Sequence, residues 1–320
     1  MAELLKTVRL SLPNEAQELA TDVVVEDTGD GEWTLLCLHG FGDNLHTWQS
    51  LRTILEPRGA RVVALDLPGF GRSPMPAAFG PEYSLRAVDV VHAFARELAR
   101  ERDDALLLAG NSLGGAIGLG AMIRDRRATR RCIDGAALLS PATPATRTPM
   151  FVRLLRAPVY RWSEDLMARL PTRARRAAAG MITRTVIQMM VHPGFRPSRA
   201  WRESIIDAFV RPGSWRDLET VALDLLWTLR GKRRGVLELL EHTDQVSTPV
   251  HVVRGELDRV ISRSELVHLA AELPHGAYSE LPGIGHCPQN EAPARCAEIV
   301  LDLLDAVRGL DASDEPGAER

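Results

Sequence analysis

The sequence predicts an α/β fold: a mostly parallel, doubly wound sheet with an inserted block of helices. Three observations carry this. Apolar runs alternate with helical spacings from residue 33 to residue 140, as chained βαβ units do. Trp33 to Leu38 reads as a continuous apolar run, the pattern of a strand covered on both faces. The next clear strand, Val250 to Arg254, comes about 110 residues after the run Ile133 to Leu139, far more than one crossover helix needs.

Residues 6–12 and 19–26 read as two early strands, the second centred on Val23-Val24-Val25, with a turn at Asp27-Thr28-Gly29-Asp30-Gly31. Trp33 to Leu38 reads as a buried strand and Arg61 to Leu67 as the next strand. Leu85 to Arg100 has helical spacing, with Leu85, Val88, Val91 and Leu98 on one face. Ala105 to Ala109 and Ile133 to Leu139 are further strands. The interval that follows reads as amphipathic helices at 147–157, 160–170, 173–190, 200–209, 214–228 and 232–242, punctuated by prolines such as Pro158, Pro171 and Pro193. After Val250 to Arg254 come a helix at Ser264 to Leu273, a short strand at Ala277 to Leu281 and a closing amphipathic helix at 293–308. The expected organisation is a core of 1–140 and 246–310, a helical cap of 141–245 and a charged, disordered tail of 311–320.

With 320 residues, 25% of them charged, and a net charge of −3, the composition is that of a globular protein and gives no reason to expect a nucleic-acid partner. Residues 141–245 carry 18 Lys+Arg against 10 Asp+Glu, a net +8 set against −11 for the remainder. Two readings of that asymmetry stay open: attraction to an anionic substrate or an acidic membrane surface, and, the preferred one, solvated faces of an Arg-rich chain. The N-terminal residues lack a basic region followed by a long apolar core, so no signal peptide is read. The four cysteines, Cys37, Cys132, Cys287 and Cys296, form no metal-ligand spacing. They are expected to be reduced thiols of a cytoplasmic protein, and no metal or other cofactor is expected.

The chemistry centres on Gly110-Asn111-Ser112-Leu113-Gly114-Gly115, between a strand and a small-residue helix. A serine hydroxyl is a poor nucleophile unless a sharp bend projects it towards a base, and Gly110 and Gly114 let strand and helix close on that bend. The N–H of Leu113, at the helix start, faces a developing oxyanion. A second donor is expected from the loop His39-Gly40-Phe41-Gly42, where the Phe41 amide follows Gly40 at the end of a buried strand; the His39 side chain is read as a structural hydrogen-bonder. Asp258 lies just past the strand 250–254, with Glu256 as its competitor. Of the nine histidines, His286 alone combines a late position, a glycine-rich loop and a location past a strand. Ligands in such sheets bind beyond the carboxyl ends of the strands, where these loops all lie.

Together these residues resemble the α/β-hydrolase superfamily. The resemblance rests on His39-Gly40-Phe41-Gly42, Asp66-Leu67-Pro68-Gly69-Phe70-Gly71-Arg72-Ser73, Gly110 to Gly115, Gly255 to Asp258 and Gly285-His286. It covers nearly the whole chain, with 141–245 corresponding to the variable helical cap. It implies an α/β-hydrolase fold and a triad of Ser112 as nucleophile, His286 as base and Asp258 as its orienting acid, with the amides of Phe41 and Leu113 as oxyanion hole. Superfamily dehalogenases and epoxide hydrolases carry Asp where Ser112 stands, which points away from both. The expected activity is that of a serine esterase acting on a small to medium apolar acyl ester. Asn111-Ser112 also resembles the carbon–carbon hydrolases of meta-cleavage products, but Asp43-Asn44 after Gly42 and Cys287-Pro288 after His286 depart from that pattern. A ligand-binding or signalling member with slow turnover is the alternative of another class.

Overall fold

The computed structural model describes residues 4–12, 19–101, 104–126, 131–146, 169–228 and 235–313. In chain order the strands and helices are β1 (Leu5–Leu12), β2 (Leu19–Asp27), β3 (Trp33–Leu38), α1 (Gln49–Leu55), β4 (Ala60–Leu65), α2 (Tyr83–Glu101), β5 (Leu106–Asn111), α3 (Leu113–Asp125) and β6 (Gly135–Leu139). There follow α4 (Thr172–Met190), α5 (Arg199–Val210), α6 (Ser214–Thr228), the single turn α7 (Val236–Leu239), β7 (Val250–Gly255), α8 (Arg263–Glu272), β8 (Gly276–Leu281), the single turn α9 (Pro288–Glu291) and α10 (Pro293–Ser313).

The eight strands form one sheet in the order β1-β2-β4-β3-β5-β6-β7-β8. The β1–β2 and β2–β4 pairs are antiparallel and every later pair is parallel. β3, β4, β5 and β6 are buried at every residue, because helices cover both faces. Alternate side chains therefore enter different cores. Leu36, Leu38, Leu106 and Leu108 pack with Val88, Val91 and Ile117 of α2 and α3 on one face. Leu35, Cys37, Leu107 and Ala109 pack with Leu51, Leu55, Val300 and Leu304 of α1 and α10 on the other.

The register levels the carboxyl ends of the central strands. Leu38 lies opposite Gly110, Asn111 opposite Leu139, Leu139 opposite Val253, and Gly255 opposite Leu281. The loops after β3, β5, β6, β7 and β8 thus leave the sheet at one edge.

Several sequence boundaries shift. Of the expected helix 232–242, residues 232–234 lie outside the described residues and the rest is two pieces: α7 gives way to a 3-10 turn, Leu240–Gln245, in which His242 is non-helical at φ −111° and ψ 32°. The C-terminal helix runs to Ser313, so 311–313 are helix rather than tail. α1 has only seven residues, with no side-chain cap at its start, and follows a 3-10 turn Leu45–Trp48 whose cap is Asn44, accepting from the His46 N–H. Its apolar spacing is too short to register as a helix, and it is held by burial of Leu51 and Leu55. The expected helix 147–157, and most of that at 160–170, lie outside the described residues. Among the described residues no helix is long and apolar enough to cross a membrane.

Candidate active site

The turn after β5 is strained at Ser112. Ser112 has φ 51° and ψ −115°, a region that non-glycine residues rarely occupy and that persists only when the surroundings fix it. Here the Ser112 N–H donates to Leu139 O at 3.0 Å, and Ser112 O accepts from Ala142 N at 3.0 Å and Ala116 N at 3.1 Å. Close packing supplies the rest. A Cβ at Gly110 would lie 2.7 Å from Gly114 O, and one at Gly114 would overlap the carbonyl oxygens of Leu38 and His39. Leu113 opens α3, so its amide belongs to the first turn, which has no intrahelical acceptor.

The loop after β3 lies directly against this elbow. A Cβ at Gly40 would stand 3.2 Å from Asn111 Oδ1 and 3.3 Å from Ser112 Cβ. His39 braces the loop from behind. Its Nε2 accepts from the Leu67 N–H at 3.0 Å and its Nδ1 contacts Gly40 O at 2.8 Å, which fixes the Nδ1–H tautomer. Burial lowers its pKa to about 4, so the ring stays neutral. Asp66 braces the same region by accepting from the amides of Leu45 and Arg72, both at 2.8 Å.

Asp258 and His286 meet across the edge, with His286 Nδ1 2.8 Å from Asp258 Oδ2. Both side chains are fully buried. Burial pushes the Asp258 carboxyl up. The charge and hydrogen bond of His286 and the amides of Ile261 and Val260, which donate to Oδ1 at 3.1 and 2.7 Å, outweigh it and hold the pKa below the usual carboxylate value. The pair is thus arranged as carboxylate and Nδ1–H, leaving Nε2 as the acceptor nitrogen of the ring. His286 Nε2 is buried and has no hydrogen-bond partner. Glu256 turns away and accepts from the Gly283 N–H at 2.8 Å.

Three further residues brace the site. Asn111 Nδ2 donates to Leu139 O at 2.9 Å and to His286 O at 3.1 Å, tying elbow to histidine loop. Arg254, 7% exposed, donates to the carbonyls of Glu256, Asp258 and Ile261 at 3.1, 2.8 and 3.1 Å, clamping the acid's loop. Glu291 accepts from the amides of Gly285 and Cys287, each at 3.0 Å, and of His192 at 2.7 Å. Asn111 lies within the elbow motif, and Glu291 has a signal of its own, a glutamate one turn into a proline-started helix and able to reach back to the amides before it, whereas Arg254 has none.

A cavity of about 170 Å³ joins these groups. Ser112, His286, Phe41, Leu113 and Gly40 all line it, whereas His39, Gly110 and Gly114 lie behind its wall as supports. The opposite wall is apolar and comes from α4, α5 and α6, including Val186, Ile187, Met190, Ile205, Phe209 and Leu218. Asp43 also lines it, accepting from Trp201 Nε1 at 2.8 Å and from Asn44 N at 2.9 Å. Burial raises its pKa to about 6 despite those donors and Thr47. Cys287 lines the cavity as a free thiol, its pKa driven up by burial and by Asp43, Glu291 and Asp258.

Comparison with known proteins gives this geometry a lineage. The chain is 32% identical over 313 residues to a 2-hydroxymuconate semialdehyde hydrolase of Pseudomonas sp. strain CF600, covering 92% of this chain and 97% of that one. It is 25% identical over 284 residues to a pimeloyl-acyl-carrier-protein methyl ester esterase of Aromatoleum aromaticum, covering 84% and 97%. A thermophilic esterase from Thermogutta terrifontis shares the fold, with a TM-score of 0.67 at 22% identity over 94% of this chain and 99% of that one. The Alpha/beta hydrolase family profile matches residues 35–299. The protein is therefore a hydrolase belonging to the alpha/beta hydrolase family.

Proposed function

We propose that the protein is a serine hydrolase that cleaves a carboxylic ester of a small to medium apolar acyl group through an acyl-enzyme. One observation carries the reading: His286, bonded to Asp258 through Nδ1, has a buried, unpartnered Nε2 and shares a cavity with the strained Ser112. Ser112 Oγ attacks the ester carbonyl while His286 Nε2 takes its proton, and the oxyanion is held by the N–H groups of Phe41 and Leu113. The carbonyl re-forms, the C–O bond breaks and the alcohol leaves with the proton from Nε2. Water then attacks the acyl-enzyme, giving its proton to Nε2, and collapse of this second intermediate returns that proton to Ser112 Oγ and releases the acid. Asp258 remains ionised throughout and stabilises the imidazolium.

The apolar wall supports the acyl preference, since among the described residues the lining holds no lysine or arginine to pair with a carboxylate. The insertion 141–245 is read as a cap over the cavity. The four free, buried cysteines fit a reducing, cytoplasmic setting. A second reading, carbon–carbon bond hydrolysis, is favoured by the likeness to the semialdehyde hydrolase.

The test is turnover of p-nitrophenyl esters from acetate to palmitate by the wild type and Ser112→Ala. The proposal expects a chain-length optimum that disappears in the variant. Fluorophosphonate labelling of Ser112 without ester turnover would move the assignment to carbon–carbon hydrolysis, and absence of both would leave a ligand-binding protein.

A further inference from the structure

Buried polar side-chain atoms are nearly always hydrogen-bonded, because an unmade bond leaves their desolvation uncompensated. Among the described residues that line the cavity, two side chains break this rule: His286 Nε2 and Thr183 Oγ1. The first is the proton-handling atom of the reaction proposed above. The second belongs to α4 and has no part in that chemistry.

Thr183 shares one stripe of α4 with Val186, Ile187 and Met190, which recur at helical spacing and all line the cavity. It is fully buried. A helical threonine ordinarily satisfies its hydroxyl by donating to the carbonyl four residues back. Thr185, on the outer face of the same helix, does so to Met181 O at 3.0 Å, and Thr53 and Thr220 do the same in α1 and α6. Thr183 does not. Several other polar side chains of the lining are already engaged: Asp43 with Trp201 and Asn44, Asn111 through Nδ2 with Leu139 and His286, Thr146 with Thr143.

We propose that Thr183 is the polar anchor of the substrate site: the group bound against α4 is an apolar chain interrupted by one neutral hydrogen-bonding oxygen, a hydroxyl or ketone, which pairs with Thr183 Oγ1. A plain alkyl chain would leave the hydroxyl unpaired in the complex. A carboxylate is excluded, since one neutral hydroxyl does not compensate a buried charge. A site built to pair a substrate oxygen rejects the analogue lacking it more strongly than an apolar pocket rejects one methylene. The inference takes the ester reaction from the reading above, but the binding preference stands apart from it.

Trp201 and Trp215 line the cavity, so intrinsic fluorescence reports its occupancy. The experiment titrates Ser112→Ala with methyl octanoate, methyl hydroxyoctanoates carrying the hydroxyl at C4 to C8, and methyl oxooctanoates carrying the ketone at C4 to C7. The titrations are repeated with Thr183→Val or Thr183→Ser added. The expected result is one oxygen position that binds about tenfold tighter than the plain chain, the scale of one buried hydrogen bond. Thr183→Val, which keeps the shape, removes that preference without weakening methyl octanoate, and Thr183→Ser retains it. A preference that survives Thr183→Val, or no position that outbinds methyl octanoate, overturns the anchor. Turnover of p-nitrophenyl esters by the Ser112 enzyme is read separately: its failure beside an intact oxygen preference removes the ester reading and leaves the anchor standing.

Discussion

The two walls of the cavity rest on different physics. The sheet-edge wall is fixed by directional bonds: Ser112 by Leu139 and Ala142, Asp258 by Val260, Ile261 and Arg254, His286 by Asp258 and Asn111. The wall from α4 and α5 is set mainly by apolar packing, with Ile187, Val191, Trp201 and Ile205 in a small core that also takes in Cys287 of the histidine loop, and Met190 O at the end of α4 accepts from the His286 N–H at 2.7 Å. Side-chain ties across to the edge include Trp201 to Asp43 and Ser204 to Asn44. Directional bonds hold reacting atoms to the tolerance a proton transfer needs, whereas apolar packing fixes size and shape with a softer response. Changes in the first wall should therefore act on kcat, and changes in the second on which chain is preferred.

The sharpest way to break this division is Asp258→Asn. It keeps the shape but no longer supports the Nδ1–H tautomer, and kcat for the best ester should fall on the order of 10⁴-fold with KM little changed. Steady-state kinetics decide it, and a rise in KM at constant kcat would place Asp258 in binding rather than chemistry. Arg254→Met should come next. Removing charge-assisted bonds to three carbonyls of the acid's loop should lower kcat roughly 10- to 100-fold, with part of the loss restored by Arg254→Lys. Equal loss in both variants would mean that the guanidinium geometry, not merely a cation, holds the loop.

These two residues also show what the sequence discloses. Ser112, Asp258 and His286 each sit in a loop just past a strand, beside glycines, so local pattern alone puts them at one edge. Arg254 reads as one of two polar residues, with His251, in an otherwise apolar strand, and the carbonyls it clamps have no side-chain signature. Thr183 reads as one polar position on an amphipathic helix, and its burial without a partner follows from the packing of α4 over the cavity. The break at His242 is hidden for a similar reason: Leu240 and Thr243, which flank the exposed pair Glu241 and His242, are both buried, and tertiary contact overrides helical continuity there.

The tie between the walls has a pH signature. Burial raises the Asp43 pKa from 3.8 to about 6, so the folded protein binds a proton there more tightly than the unfolded chain. Its contribution to stability is fully present below about pH 4 and is lost as pH rises through 6. Asp43→Asn keeps an acceptor for Trp201 and removes the titration. Relative to the wild type it should gain about 1–3 kcal/mol on going from pH 4.5 to pH 7.5 in urea unfolding. Asp66, also raised to about 6 by burial, keeps its own share of the slope in both proteins. An unchanged slope in the variant would show that Asp43 is charged without penalty and that the walls are not coupled through it.

The smallest effect tests the apolar wall alone. Val186 lines the cavity from α4 and makes no directional contact with Ser112, Asp258 or His286. Val186→Ala enlarges the cavity without touching Ser112, Asp258 or His286. A longer acyl chain can then bury about one more methylene, worth about 0.8 kcal/mol, or roughly fourfold in kcat/KM. The optimum in the p-nitrophenyl series should move to a longer chain by that factor, carried by KM, while kcat for acetate stays as it was. An equal fall in kcat across the series would mean that α4 helps to position the reacting atoms, and the division of labour between the two walls would fail at the residue where it is easiest to test.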